Sequence, residues 1–398
     1  MLKLRPAIVL DVEDPDTQLT VLDAHAGDGP EQTLRIKLTD DNADDAPRAA
    51  IADVSLVGRS EAGDEVIVNV QALDLGLGSG GFDVVHVNLT RGLDGEGSEA
   101  ANVMKLNYTS LQHTVEPVDD GLLEVPLERP VAVLALHGQL APVAWAYAQS
   151  APEGRLGYVQ TAGGALPGGH SRTVRALRER GLLAGHITAG AAFGGELEAI
   201  STAGAIHHGL HTLGWDAVVC GPGPGIVGSS SALGHGGMVA LDSAHVALAL
   251  GCPTLLVARM SSSDDRTRHR GISHHTLTVL DLLLEPVTVA LPAGMRSPVG
   301  ADLRAGLGAV FGGSMPGRPA LALDVPRPVR ITRHDWRRAA VDLPAYATSG
   351  LSTVTMGRGL GEDPLFFGAA LAGGGALAQL NGALHRQGAL AAEAKLEE

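Results

Sequence analysis

From Val131 onward the chain repeats one pattern: a short apolar run, then a stretch of helical periodicity. The runs fall at 131–136, 156–160, 187–188, 217–220, 254–258 and 287–291, and the helical stretches at 141–149, 171–180, 195–213, 238–250 and 274–284. Strands joined through helices pair in parallel, because the connection must cross the sheet to begin again at the same edge. The runs are apolar throughout, as strands covered on both faces should be, rather than alternating. This predicts an α/β fold: a doubly wound, mostly parallel, Rossmann-like domain over 131–398. The high glycine content (53 residues) and low aromatic content (3%) suit many tight strand-to-helix turns around cores of Ala, Val and Leu.

Residues 1–90 read differently. Short β-type runs at 7–12, 17–22, 34–38, 53–57, 65–73 and 83–89 are separated by turns such as Glu13-Asp14-Pro15-Asp16 and Ala62-Gly63-Asp64. That spacing predicts a small all-β barrel or sandwich without a helix. The stretch from Asp74 to Gly81, with four glycines, reads as a mobile loop between the last two runs. Residues 91–130, opening on the Gly-rich acidic stretch Gly92 to Glu99, read as a linker and connecting segment. After the sheet, 352–356 could add a strand, and 363–380 a helix opened by Asp363-Pro364.

A formal net charge of −15 opposes a sequence-independent grip on nucleic acid, which needs clustered Lys and Arg. No run approaches the roughly 18 apolar residues of a membrane span. With only Cys220 and Cys252, no disulfide framework is expected, and the reading is a cytoplasmic chain without nucleic-acid or membrane partners. Cys220 reads as a small buried strand residue rather than a nucleophile. A homo-oligomer remains open.

In an open parallel sheet, ligands bind at the carboxyl ends of the strands, where helix N-termini present free N–H groups. The loops at that edge carry His137, the segment 188–196 ending in Glu196, the Gly-rich loop with Gly223, Gly225, Gly228, Ser229 and Ser230, and the segment from Arg259 to His275; the tail adds Arg358. The Gly-rich loop matches G-x-G-x-x-G only formally. Pro222 and Pro224 each remove a donor, and no acidic residue follows at about 20 residues, so a dinucleotide is not expected. There is no Walker A lysine, no G-x-S-x-G elbow and no H-E-x-x-H.

The densest stretch runs M-S-S-S-D-D-R-T-R-H-R-G-I-S-H-H from Met260 to His275. Arginine and histidine side chains gathered this closely need an anion, a metal or partner carboxylates. Arg266, Arg268 and Arg270 are candidate anion clamps, and His137, His269, His274, His275, Asp264 and Asp265 are candidate catalytic groups. Ser273 is placed to cap a helix starting at His274, whose dipole keeps imidazoles in its first turn neutral. Two rival readings are an ion-pair knot of Asp264 and Asp265 with the arginines, and a divalent metal on the acids and histidines, for which no spacing is diagnostic. The function expected is binding of a small anionic ligand, phosphorylated or carboxylated, with hydrolase or transferase chemistry; the alternative is a metabolite sensor or assembly protein whose β domain meets a partner.

The glycine run from Asp74 to Gly81, the loop from Thr188 to Glu198, Gly221-Pro-Gly-Pro-Gly-Ile-Val-Gly228, Arg268-His-Arg-Gly-Ile-Ser-His-His275 and Thr355-Met-Gly-Arg358 together resemble the DUF3866 family. The resemblance spans most of the chain and implies a bacterial protein. It brings no activity and no catalytic residues with it.

Overall fold

The computed structural model describes residues 2–13, 31–40, 46–76, 81–93, 101–119, 122–165, 167–229, 231–293 and 327–396. The run expected at 17–22 lies outside them, as do 77–80 of the glycine run and 94–99 of the acidic stretch. The chain forms two compact units, Met1–Glu116 and Pro117–Glu398.

The first unit is a closed barrel of five strands, β1 (Leu4–Glu13), β2 (Glu31–Leu38), β3 (Arg48–Asp53), β4 (Glu65–Asn69) and β5 (Asp83–Asn88), in the order β1-β2-β3-β5-β4. Closure comes from antiparallel pairing of β1 with β4, which leaves no free edge. The inward residues, among them Val9, Leu34, Ile36, Ala50, Val66 and Val68, are fully buried and form one core. Two expectations need correction. The run 53–57 is not a strand: Asp53 ends β3 and its carboxylate accepts from the Ser55 N–H at 2.9 Å, capping a single helical turn at Val54–Val57. A second turn at Gln71–Asp74 ends the run that begins with β4. A hairpin of β6 (Val103–Lys105) and β7 (His113–Val115) completes the unit.

The second unit is the doubly wound domain. Its strands are β8 (Val131–Val133), β9 (Leu156–Thr161), β10 (Gly185–Ala189), β11 (Leu197–Ala199), β12 (Ala217–Pro222), β13 (Thr254–Val257), β16 (Thr288–Pro292) and β17 (Asp335–Ala339); β14 (Met260–Ser261) and β15 (Gly271–Ile272) form a separate small ribbon between β13 and β16. The sheet order is β11-β10-β9-β12-β8-β13-β16-β17, and every pair is parallel.

Side-chain alternation divides the core between two faces. Val131, Val133, Val218 and Leu256 pack with helices α3 (Thr202–His207), α4 (Val239–Ala249) and α5 (His274–Leu282). Ala132, Leu134, Val219 and Val257 pack with α1 (Leu140–Ser150), α2 (Arg172–Glu179) and α6 (Pro364–Leu396). The helix expected at 195–213 is shorter: β11 takes its start as an edge strand, and α3 runs on into a π-helical turn at His208–Thr212.

Strand order fixes where a crevice can form. From β8 the chain moves toward β9, whereas from β13 it moves the opposite way, toward β16. The loops after these adjacent strands therefore diverge, and the same holds for β9 and β12. A parallel sheet opens a ligand crevice at such switch points.

Candidate functional site

The loop after β13 begins with Arg259, runs through the β14–β15 ribbon and returns to α5. Asp264, 1% exposed, is its hub. Arg266 grips this carboxylate through Nε at 2.9 Å and Nη2 at 3.0 Å, Arg358 reaches it at 3.3 Å and Arg259 at 3.5 Å. Arg270 donates to the Asp264 carbonyl at 2.8 Å. Burial alone would raise the Asp264 carboxyl, but the Arg266 hydrogen bonds outweigh it and hold the group below the usual carboxylate range.

A second buried carboxylate sits beside this hub. Asp363, immediately before α6, accepts from the Ser261 hydroxyl at 2.6 Å, the Ser262 N–H at 2.8 Å and Arg358 Nε at 3.2 Å. Arg358 is delivered by a hairpin of β18 (Val354–Thr355) and β19 (Arg358–Gly359), whose turn residues Met356 and Gly357 take φ of 48° and 73°. The hairpin lies against the β8 loop so closely that a Cβ on Gly138 would meet Thr355 Oγ1 at 2.7 Å.

Four imidazoles gather around the hub. Ser273 caps α5 and bonds His269 Nδ1 at 2.8 Å, while His274 and His275 occupy the first turn. His235 comes from the loop after β12 and stacks on His275, with ring centroids 3.3 Å apart and planes at 14°. His269 stands 4.9 Å from His274 and 4.8 Å from His275 between ring centroids. All four are buried. Burial first, then neighbouring guanidiniums and imidazoles, push His269 down to about 3, His274 to about 4 and His275 to about 2, and His235 also falls below its ordinary value. The imidazoles are therefore neutral at pH 7.

Two features set the site apart from an ordinary ion-pair knot. His274 Nε2 and His275 Nε2 are buried without a hydrogen-bond partner among the described residues. The Arg268 guanidinium, whose charge bears on His274, meets no carboxylate among them, and its Nε is likewise buried and unpartnered. Orphaned polar atoms in a native interior call for a missing ligand, ion or water.

The other candidates lie elsewhere or play other parts. Asp265 is exposed next to Arg266. Glu196, half exposed, pairs with Arg178 of α2. His137 is not brought to this hub: its Nε2 bonds Ser171 Oγ at 2.8 Å and its Nδ1 faces Tyr158 OH at 3.4 Å. In the Gly-rich loop, Gly228 bridges to His235, the exposed Ser229 donates to the Gly234 carbonyl at 2.9 Å within the loop, Gly225 takes φ of 80°, and a Cβ on Gly223 would strike the Gln160 amide. Ser230 lies outside the described residues. These glycines permit close approach of the loops after β9 and β12. A Cβ on Gly236, for instance, would fall 2.1 Å from the Gly163 carbonyl oxygen.

Sequence reasoning missed His235, Asp363 and the group around Tyr158. His235 lies in the Gly-rich stretch and was available as the one imidazole in that loop; Asp363 is indistinguishable in sequence from an ordinary helix start.

The sequence profile described as Protein of unknown function (DUF3866) matches residues 49–374. The chain belongs to the DUF3866 family. The match takes in the whole histidine–arginine hub of this DUF3866 chain, from His235 to Asp363. No curated protein and no solved structure matches it. No helix among the described residues is long and apolar enough to cross a membrane.

A cavity of about 560 Å³ lined in part by Leu123, Val125, Leu127, Arg129 and Leu210 lies beside residues that precede β8, at the opposite end of the strands. None of its lining side chains is a buried polar group lacking a partner. Chemistry rather than volume therefore selects the carboxyl edge.

Proposed function

We propose that the crevice at the carboxyl ends of β8, β12 and β13 binds a small phosphorylated or carboxylated anion and turns it over by hydrolysis or group transfer. The observation that carries this reading is Arg268, whose guanidinium meets no carboxylate among the described residues and whose charge bears on His274, a neutral imidazole with a buried, orphaned Nε2. Arg259, Arg266, Arg268 and Arg358 stand against Asp264 and Asp363, so the hub holds more positive than negative charge, which favours an anion. In this reading Arg268 clamps the anion, and His274 takes a proton from the attacking water or hydroxyl. Asp264 orders the arginines and is no base, since its carboxylate is already held by three of them. The setting is a bacterial cytoplasm, supported by the two buried free thiols.

Calorimetric titration with inorganic phosphate, then with a small dicarboxylate, tests the binding step. Loss of one charge-assisted contact in Arg268→Ala should weaken affinity roughly tenfold or more. If the wild-type chain binds neither probe, the reading is wrong; binding without turnover of any phosphorylated or carboxylated compound would make the protein a sensor.

A second reading is favoured by one observation. Ring nitrogens of His269, His274 and His275 lie within 4.8 Å of one another, close enough to gather on a divalent metal. Elemental analysis of purified protein, with His274→Ala as control, tests it by whether stoichiometric metal is present and then lost.

A further inference from the structure

We propose that Arg259 locks His275 as its Nε2–H tautomer, and so makes this histidine cluster a site for an oxyanion that a transition metal cannot complete. The inference deepens the anion reading above and depends on it only for the ligand.

Arg259 Nη1 lies 3.0 Å from His275 Nδ1. A guanidinium has N–H donors and no acceptor, so Nδ1 must present its lone pair. A neutral imidazole carries a single proton, which must then sit on Nε2. That atom is buried and has no partner among the described residues. The orphan is therefore a donor in need of an acceptor oxygen.

Neither partner is free to turn away. Arg259 is 3% exposed; its N–H donates to Thr276 Oγ1 at 2.9 Å, and its carbonyl accepts from the Ser273 N–H at 2.9 Å. Its Nη2 faces Asp264 at 3.5 Å and Met356 Sδ at 3.7 Å. His275 is held by its stack on His235 and by its place in the first turn of α5. Thr276 and His275, neighbours on α5, thus hold the two ends of the same arginine.

A metal needs lone pairs. With Nε2 protonated and Nδ1 engaged, His275 offers none unless it becomes an imidazolate, and His269 and His274 alone fall short of the three or four protein ligands of zinc-type sites. An oxyanion needs donors instead. His275 Nε2–H supplies one, and the positive charge of Arg268 bears on the neighbouring His274.

The test is nitrogen NMR on full-length wild-type protein labelled at histidine with ¹⁵N, with His275 assigned through His275→Gln. At neutral pH the expected spectrum shows a protonated Nε2 and an unprotonated Nδ1 for His275. Inorganic phosphate should shift the Nε2 signal, and zinc ion should leave both His275 nitrogens unmoved. An unprotonated Nε2, or a zinc-dependent shift of that nitrogen, overturns the proposal even if phosphate binds. A protonated Nε2 that zinc leaves alone, and that neither phosphate nor a dicarboxylate moves, upholds the lock and removes the anion reading. In Arg259→Met the lock is gone, and zinc should bind roughly tenfold more tightly or better as His275 joins the ligands; unchanged zinc affinity in a folded variant counts against it. Removing Arg259 takes a partner from Asp264 and can unfold the chain, so the wild-type spectrum decides.

Discussion

His137 and the cluster around His275 lie at the carboxyl edge of the same sheet, and they differ in how their ring nitrogens are satisfied. Around His137 the polar atoms form a chain. The Tyr158 hydroxyl, near the Gly221 and Pro222 carbonyls at 3.2 and 3.0 Å, donates to them and can accept from His137 Nδ1, while His137 Nε2 takes the Ser171 hydroxyl, which itself caps α2. Around His275 the chain is broken: Arg259 and Ser273 fix one side of two rings, and the Nε2 atoms of His274 and His275 are left without partners. A buried polar network with its valences filled rigidifies a fold, whereas one with open valences waits for a ligand. Residue type does not separate the two groups; proton inventory does.

The largest expected effect is shared by both. Burial holds His137 at about 4 and His186, which lies in β10, stacks on Tyr158 and has a buried Nε2 without a partner among the described residues, at about 3, alongside the low values of His269, His274 and His275. Below the ordinary value of 6.5 the unfolded chain takes up protons that the folded chain refuses, so stability falls as pH drops from about 6.5 toward about 4. Each withheld proton contributes a slope of about 1.4 kcal/mol per pH unit. Denaturant unfolding across that range should show a steep loss. Phosphate should offset part of the loss in wild type but much less in Arg268→Ala, and equal rescue of both would dissolve the distinction between the groups.

Next in size is Asp264→Ala, which removes the carboxylate common to Arg259, Arg266 and Arg358. Breaking a buried ion pair from one side costs about 3–5 kcal/mol, because the remaining charge stays buried. Unfolding midpoints should register a loss of that order, and a loss under about 1 kcal/mol would mean that the arginines find other partners. Tyr158→Phe strikes the closed group instead. It strips the two carbonyls and His137 of their shared hydroxyl and should cost about 1–3 kcal/mol, with phosphate affinity unchanged.

Much of this architecture was legible along the chain. Runs such as 217–220 and 254–258 are apolar on both faces, and Ser273 before His274 is an N-cap that local chemistry alone identifies. Two strands of the eight-stranded sheet were not legible, for opposite reasons. β17, Asp335-Trp-Arg-Arg-Ala339, is an edge strand with little to bury, and β11 spends its three residues inside a stretch with helical spacing. The segment from Met260 to His275 was legible as a dense cluster of ionisable groups, but the jobs of its arginines were not. Arg266 grips Asp264 two residues away and Arg270 its carbonyl, while of the three only Arg268 meets no carboxylate or carbonyl among the described residues; three alternating arginines look alike until the ribbon of β14 and β15 turns them. Contacts such as Arg358 with Asp264 span 94 residues, and no local pattern encodes them.

The smallest expected change in stability makes the sharpest comparison. His137→Gln and His274→Gln exchange the same residue types at similar volume in two buried places. At His137 the glutamine must replace bonds to Ser171 and Tyr158 that depend on ring geometry, so a loss of about 1–3 kcal/mol is expected. At His274 the ring's Nε2 has no partner to lose. There the expected change is within about 1 kcal/mol, with either sign, because an unsatisfied buried nitrogen already weighs against the folded state. Function should move the opposite way: turnover of a phosphorylated or carboxylated substrate collapses in His274→Gln and survives in His137→Gln. Paired measurements of unfolding midpoint and turnover therefore separate a histidine held for the fold from one held for a ligand, and equal stability losses at the two sites would show that the open valences at His274 are filled in solution.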